Sequence, residues 1–107
     1  MQTRAIAVKQ TVINVLKEKQ AFGEDTPPVI RLASEVASSL AAQFDSADFC
    51  YVVHRLAAYD KPYFVRALAE LAQRECITIH ADSVAHWPAI ATRYTLTERN
   101  RLNLNQL

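Results

Sequence analysis

The segment Lys61-Pro62-Tyr63-Phe64-Val65-Arg66-Ala67-Leu68-Ala69-Glu70-Leu71-Ala72-Gln73-Arg74-Glu75-Cys76-Ile77-Thr78-Ile79-His80 carries two periodicities, and the change between them decides the fold. Phe64, Ala67, Leu68 and Leu71 recur every three or four positions, the spacing of one helix face. From Cys76 the pattern alternates and is rich in β-branched residues, which predicts a short strand over 76–80. Just upstream, Tyr59-Asp60-Lys61-Pro62 stops any preceding helix, because the residue before a proline disfavours helical dihedrals. Asp60 is placed to cap the helix that follows.

Downstream, a loop containing Asp82, Ser83 and Pro88 leads to a second β-leaning run, 91–97, with Thr92, Tyr94 and Leu96 on one side. The two runs are expected to pair antiparallel. Thr97-Glu98 then opens a last short helix that extends to about residue 104. Upstream, residues 3–20 place Ala5, Val8, Val12, Val15 and Leu16 on one helical face, with Lys17 and Lys19 in the last turn, where cations suit the helix dipole. Gly23 stands at a C-cap position. Thr26-Pro27-Pro28 reads as a helix start, with threonine as cap and proline in the first turn. Val29, Leu32, Ala33, Val36, Ala37, Leu40 and Phe44 form the next amphipathic stripe, opposite Arg31, Glu35, Ser38 and Ser39. Asp45-Ser46, with Asp48 in the first turn, caps a third helix whose inner face is Phe49, Val52, Val53 and Leu56.

The composition agrees with this helical bias. Of 107 residues, 17 are alanine and one is glycine, 50% are hydrophobic and 21% are charged. That is globular composition at single-domain length, so residues 1–107 are read as one domain in which 1–22 form an N-terminal helix. One glycine is too few for a phosphate-binding loop or a dinucleotide fingerprint. Cys50 and Cys76 make no CxxC pair, so a disulfide scaffold or zinc ribbon is not indicated, and both suit small core positions. No secretory signal or bilayer-spanning run is visible, and a cytoplasmic location away from membranes is expected. Formal net charge is +1, divided as −1 over residues 1–50 and +2 over 51–107, so the chain as a whole is no polycation.

Helices followed by a two-stranded ribbon are the order of a winged helix, and residues 54–78 resemble the helix-turn-helix of winged-helix regulators of the MarR type. Leu56 resembles the leucine that ends the first helix of that motif, and Phe64, Leu68 and Leu71 its buried triplet. Ile77 resembles the residue that starts the wing, and Tyr94-Thr95-Leu96-Thr97-Glu98 is similar to the second wing strand and the helix start after it. The family pattern has glycine where Glu75 or Cys76 stands here. The resemblance spans about residues 28–104 and implies an α+β fold, mainly α with a small β-ribbon: a winged helix-turn-helix with an extra N-terminal helix. It also implies a DNA-binding transcriptional regulator that reads duplex DNA with the helix at 61–75, and pairing of two copies through helices outside the wing.

Base readout needs Arg, Lys, Asn or Gln on the outer face of such a helix. Lys61, Tyr63, Val65, Arg66, Ala69 and Gln73 are expected there, with Val65 suited only to a thymine methyl. Arg55 and Arg93, together with Arg74, Arg99 and Arg101, are candidate phosphate contacts. The alternative is a non-catalytic protein-interaction module, a small inhibitor or adaptor, using the same helix and wing. The apolar Val65, the near-neutral charge and a wing bearing His80, His86 and Trp87 instead of a basic tip favour that alternative. The 3–20 stripe can pack within its own domain or against a second copy as a homodimer. Trp87 is either a plug beneath the wing or an exposed contact. No nucleophile–base pair, metal-ligand spacing or cofactor motif stands out, so neither an enzyme, a metal site nor a cofactor is expected.

Overall fold

The structure, a computed structural model, describes residues 3–19, 27–44, 55–80, 87–89 and 91–107. Helix α1 (Arg4–Glu18) starts where the Thr3 hydroxyl accepts the Ile6 N–H at 3.3 Å, which satisfies one of the first-turn donors. Its buried face is Ala7, Val8, Thr11, Val12, Ile13 and Leu16. Compared with the stripe read from the sequence, this face is turned, and Ala5 and Val15 fall to its half-buried margins. A threonine can enter the face because its hydroxyl donates to the Ala7 carbonyl at 2.8 Å. Val8, Val12 and Leu16 are fully covered inside this one chain, so this part of the stripe packs within its own domain, one of the two arrangements the sequence left open.

Two prolines enter the sheet and do not open a helix as expected. The Pro27 carbonyl accepts the Tyr94 N–H at 3.1 Å, and the Val29 N–H donates to the Thr92 carbonyl at 2.9 Å. Pro28 is thereby bridged antiparallel to Arg93. Pro27 precedes a proline and is therefore biased toward extended backbone, and a proline in an edge strand loses no donor it needs. Helix α2 (Val29–Phe44) follows with its stripe in place: Val29, Leu32, Ala33, Val36, Ala37 and Leu40 are all buried. Gly23, Thr26 and the third-helix residues Asp45, Ser46, Asp48, Phe49, Val52 and Val53 lie outside the described residues, as do Cys50, Asp82, Ser83 and His86. Residues 55–57 are not helical, so Leu56 reaches the core from irregular chain and not from a helix.

Helix α3 (Lys61–Gln73) buries Phe64, Ala67, Leu68 and Leu71, as its periodicity predicts. Asp60 occupies the N-cap position, yet its carboxylate makes no cap hydrogen bond. It is fully buried and takes both arms of Arg4 in a fork, Nε at 2.6 Å and Nη2 at 3.3 Å. The same guanidinium lies 4.3 Å from the Tyr59 ring centre and reaches the Tyr59 hydroxyl at 2.9 Å. A buried carboxylate is tolerated only when it is paired, and the planar fork of arginine supplies the pairing.

At its other end α3 closes in a paired-hydrogen-bond stop: Cys76 N–H to Leu71 carbonyl at 2.8 Å and Glu75 N–H to Ala72 carbonyl at 3.1 Å. Glu75 adopts φ 59°, the left-handed conformation for which glycine is the usual choice. Strands β1 (Thr78–His80) and β2 (Arg93–Thr95) then pair antiparallel as expected, Thr78 opposite Thr95, Ile79 opposite Tyr94 and His80 opposite Arg93. Helix α4 (Glu98–Asn105) opens with a reciprocal cap between Thr97 and Asn100. Asn100 is itself buried, and its amide donates to the Glu75 carbonyl at 2.6 Å and accepts from the Thr78 hydroxyl at 3.1 Å. One continuous core, built from α1, α2, α3, the ribbon and Leu104 of α4, underlies all of this. The described part is thus mainly helical with a small antiparallel ribbon.

Two substitutions test the ends of α3. Glu75→Gly should raise stability by about 1 kcal/mol, read as a higher urea midpoint at unchanged slope, because it relieves the left-handed backbone. Arg4→Ala should lower stability by about 3 kcal/mol by stranding a buried carboxylate, and Arg4→Lys should recover only part of that loss.

Candidate nucleic-acid interface

The burial of Phe64, Ala67, Leu68 and Leu71 turns the opposite side of α3 outward, and Pro62, Arg66, Ala69, Glu70 and Gln73 are exposed there. Val65 is half-buried at the margin of that face. Two residues expected at its centre stand instead on its flanks. Tyr63 is half-buried against the core, in a cleft of about 200 Å³ shared with Ile6 and Lys9 of α1. Lys61 is half-buried on the other side, its ammonium 4.8 Å from the Trp87 ring centre. The 100° turn per residue explains the split: with the inner face set by 64, 67, 68 and 71, positions 61 and 63 fall on opposite margins.

Arg55 is exposed just before α3 and lines a second cleft, of about 330 Å³, together with Lys61 and Trp87. Arg93 is exposed on the ribbon, opposite His80, and not on α3. Among the other arginines expected at phosphates, Arg99 is held by Glu75 at 2.8 Å, while Arg74 and Arg101 are exposed. The structure therefore gathers Arg66 and Gln73 on the outer face, Arg55 and Lys61 beside its start, and Tyr63 across from them.

Glu70 sits on the outer face among these cations. Its carboxylate bonds the Lys9 ammonium at 2.7 Å, and that bond, the Lys9 charge, and more weakly Arg66 and Arg74, hold its pKa below the ordinary glutamate value. Glu70 is not among the outer-face residues read from the sequence, and since its partner lies 61 residues away no local pattern announces the pair. Trp87 was likewise visible only as a ring of undecided role. It is 36% exposed and leans on Phe64, ring centres 5.7 Å apart at 51°.

Two further chemistry-bearing groups among the described residues are occupied structurally. His80 Nε2 and the Thr95 hydroxyl share a hydrogen bond across the ribbon. Cys76 is buried, and burial pushes its thiol pKa up and away from the reactive thiolate. No cluster of three or more His, Cys, Asp or Glu occurs among the described residues, and none of their helices is long and apolar enough to cross a membrane. No protein-family model, curated protein or solved structure matches this chain.

The Glu70 carboxylate should titrate below the usual glutamate range by carbon-detected NMR, and Lys9→Met should move it back up. Because the folded value is lowered, any stability this group contributes is present above the unfolded-state pKa and fades as pH falls through the folded one.

Proposed function

We propose that this chain is a duplex-DNA-binding domain of the winged helix-turn-helix kind, acting in transcription regulation, with α3 as the helix that enters the major groove. The observation that carries the reading is the outer face of α3: the inner face is wholly spent on the core, while Arg66 and Gln73 remain exposed on one side of a rigid helix. They are seven residues apart, about 10 Å along the axis, or close to three base-pair steps. Arginine matches the O6/N7 edge of guanine, and glutamine the N6/N7 edge of adenine. Val65 offers a methyl contact to thymine. Arg55 and Lys61 beside the start of the helix, the Tyr63 hydroxyl, and Arg93 on the ribbon are the phosphate contacts that set register. The sequence α2, α3 and then the β1–β2 ribbon is compatible with the order of a winged helix and supports the same reading; the helix expected between α2 and α3 lies outside the described residues. Pairing of Glu70 with Lys9 lowers the repulsion a phosphate would meet on this face.

A second reading draws on the apolar part of the same surface. Pro62, Val65 and Ala69 interrupt the polar groups, and Ile6 is 56% exposed beside Tyr63 and Arg66, a combination suited to a protein partner.

Fluorescence polarisation against random and selected duplexes at two salt concentrations separates the two. Arg66→Ala should weaken binding by about 1–3 kcal/mol and relax preference at one base position if it meets a base edge; if it meets phosphate, the loss should be uniform and the salt slope should shrink by about one. Absence of binding at low salt in the micromolar range removes the DNA reading and leaves the protein-binding one, for which Val65→Glu is the disruptive substitution.

A further inference from the structure

We infer that the cleft between Trp87 and the Arg55–Lys61 pair is a site for a single nucleotide unit, its base stacked on Trp87 and its phosphate held by the two cations. The cleft measures about 330 Å³, at the lower end of the range for small-ligand pockets, roughly 300 Å³ and upward. That is room for one nucleotide and not for a run of them. Its floor is apolar, with Ala33 and Leu56 buried, and the Ser34 hydroxyl adds a polar atom at its wall. No acidic side chain lines it among the described residues, and neither Arg55 nor Lys61 is in an ion pair with a described residue.

The indole is prepared for a planar guest. Phe64, fully buried, props Trp87 from the core side, while the ring stays 36% exposed. The Lys61 ammonium rests over the ring at 4.8 Å, a cation–π contact that an incoming phosphate can replace with a stronger charge pair. Drawing Lys61 off the ring onto the phosphate uncovers the surface on which the base stacks. A base inside a duplex cannot present its face in this way, so the guest is either an unpaired nucleotide of a bound strand or a free mononucleotide. The first source rests on the DNA reading above; the second does not.

The test uses the full chain, whose one tryptophan makes its fluorescence a direct reporter. Deoxyadenosine monophosphate should quench Trp87 fluorescence, and inorganic phosphate alone should not. A duplex with a two-nucleotide overhang should bind about tenfold or more tighter than its blunt counterpart, the scale of one stacked base. Trp87→Ala should erase that ratio while blunt-duplex affinity holds, Trp87→Phe should keep most of it, and Arg55→Gln should reduce it without touching the core. Quenching by the mononucleotide with no overhang gain supports the site and assigns it to free nucleotide, and the same quenching without any duplex binding removes the DNA reading and leaves the site standing. No quenching together with no overhang gain overturns the inference, whatever the blunt duplex does. Equal responses to phosphate and mononucleotide, or an overhang gain that survives Trp87→Ala, overturn it as well.

Discussion

The carbonyl oxygen of Glu75 is held by two amides of α4, Asn100 at 2.6 Å and Asn103 at 3.0 Å. The left-handed backbone at Glu75 swings the chain out of α3 and aims this carbonyl at α4 instead of back along the helix. Asn100 then accepts the Thr97 N–H at 2.9 Å and the Thr78 hydroxyl at 3.1 Å. One buried amide thus joins the end of α3, the start of β1 and the cap of α4. Both of its polar atoms are satisfied, which is the condition under which a buried polar group specifies a structure and does not weaken it. Aspartate lacks the donor this junction needs, and leucine lacks donor and acceptor alike. The direction of the ribbon relative to α3 follows from this junction.

At the opposite end of α3 the constraint is ionic. Arg4 reaches across from the first turn of α1 to the fully buried Asp60, so the start of α3 is located by a residue 56 positions earlier. Lys61 comes immediately after that anchor, and its place beside Trp87 is inherited from it. Because both ends are fixed by side-chain forks and amides, α3 presents Arg66 and Gln73 from a rigid support, which favours contacts that depend on direction. The clefts on its two flanks differ in character. The α1 side carries an internally neutralised Lys9–Glu70 pair, and the Trp87 side carries cations with no acid among the described residues.

Much of this was legible because the signals were local. The face of α3, the stripe of α2, the change of period at Cys76 and the Thr97 start of α4 each depend on residues within a few positions of one another. What was not legible depends on distant partners. Pro27-Pro28 has the chemistry of a helix start, and only the presence of β2, some 65 residues on, draws it into the sheet. Asp60 has the chemistry of a cap, and Arg4, 56 positions earlier, draws its carboxylate away. The α1 face turned toward Ala7 and Thr11 because a buried hydroxyl can bond back to its own helix, an option a hydrophobicity count does not weigh. Of the candidate site, Arg66 and Gln73 were placed correctly by periodicity. The approach of Arg55, Lys61 and Trp87 was not, since they come from irregular chain, a helix start and the stretch before β2.

The prolines that join the ribbon also set its limit of growth. Pro27 and Pro28 lie along the side of β2 away from β1, and the position that faces outward, Pro28, has no N–H to offer. A further strand, from a misfolded copy or a neighbouring chain, would find the outward donor missing at that position. Among the described residues, the open edge is that of β1, three residues long and carrying the exposed Thr78 and His80. A ribbon this short, bordered on one side by an imino acid, offers a further strand little backbone to pair with.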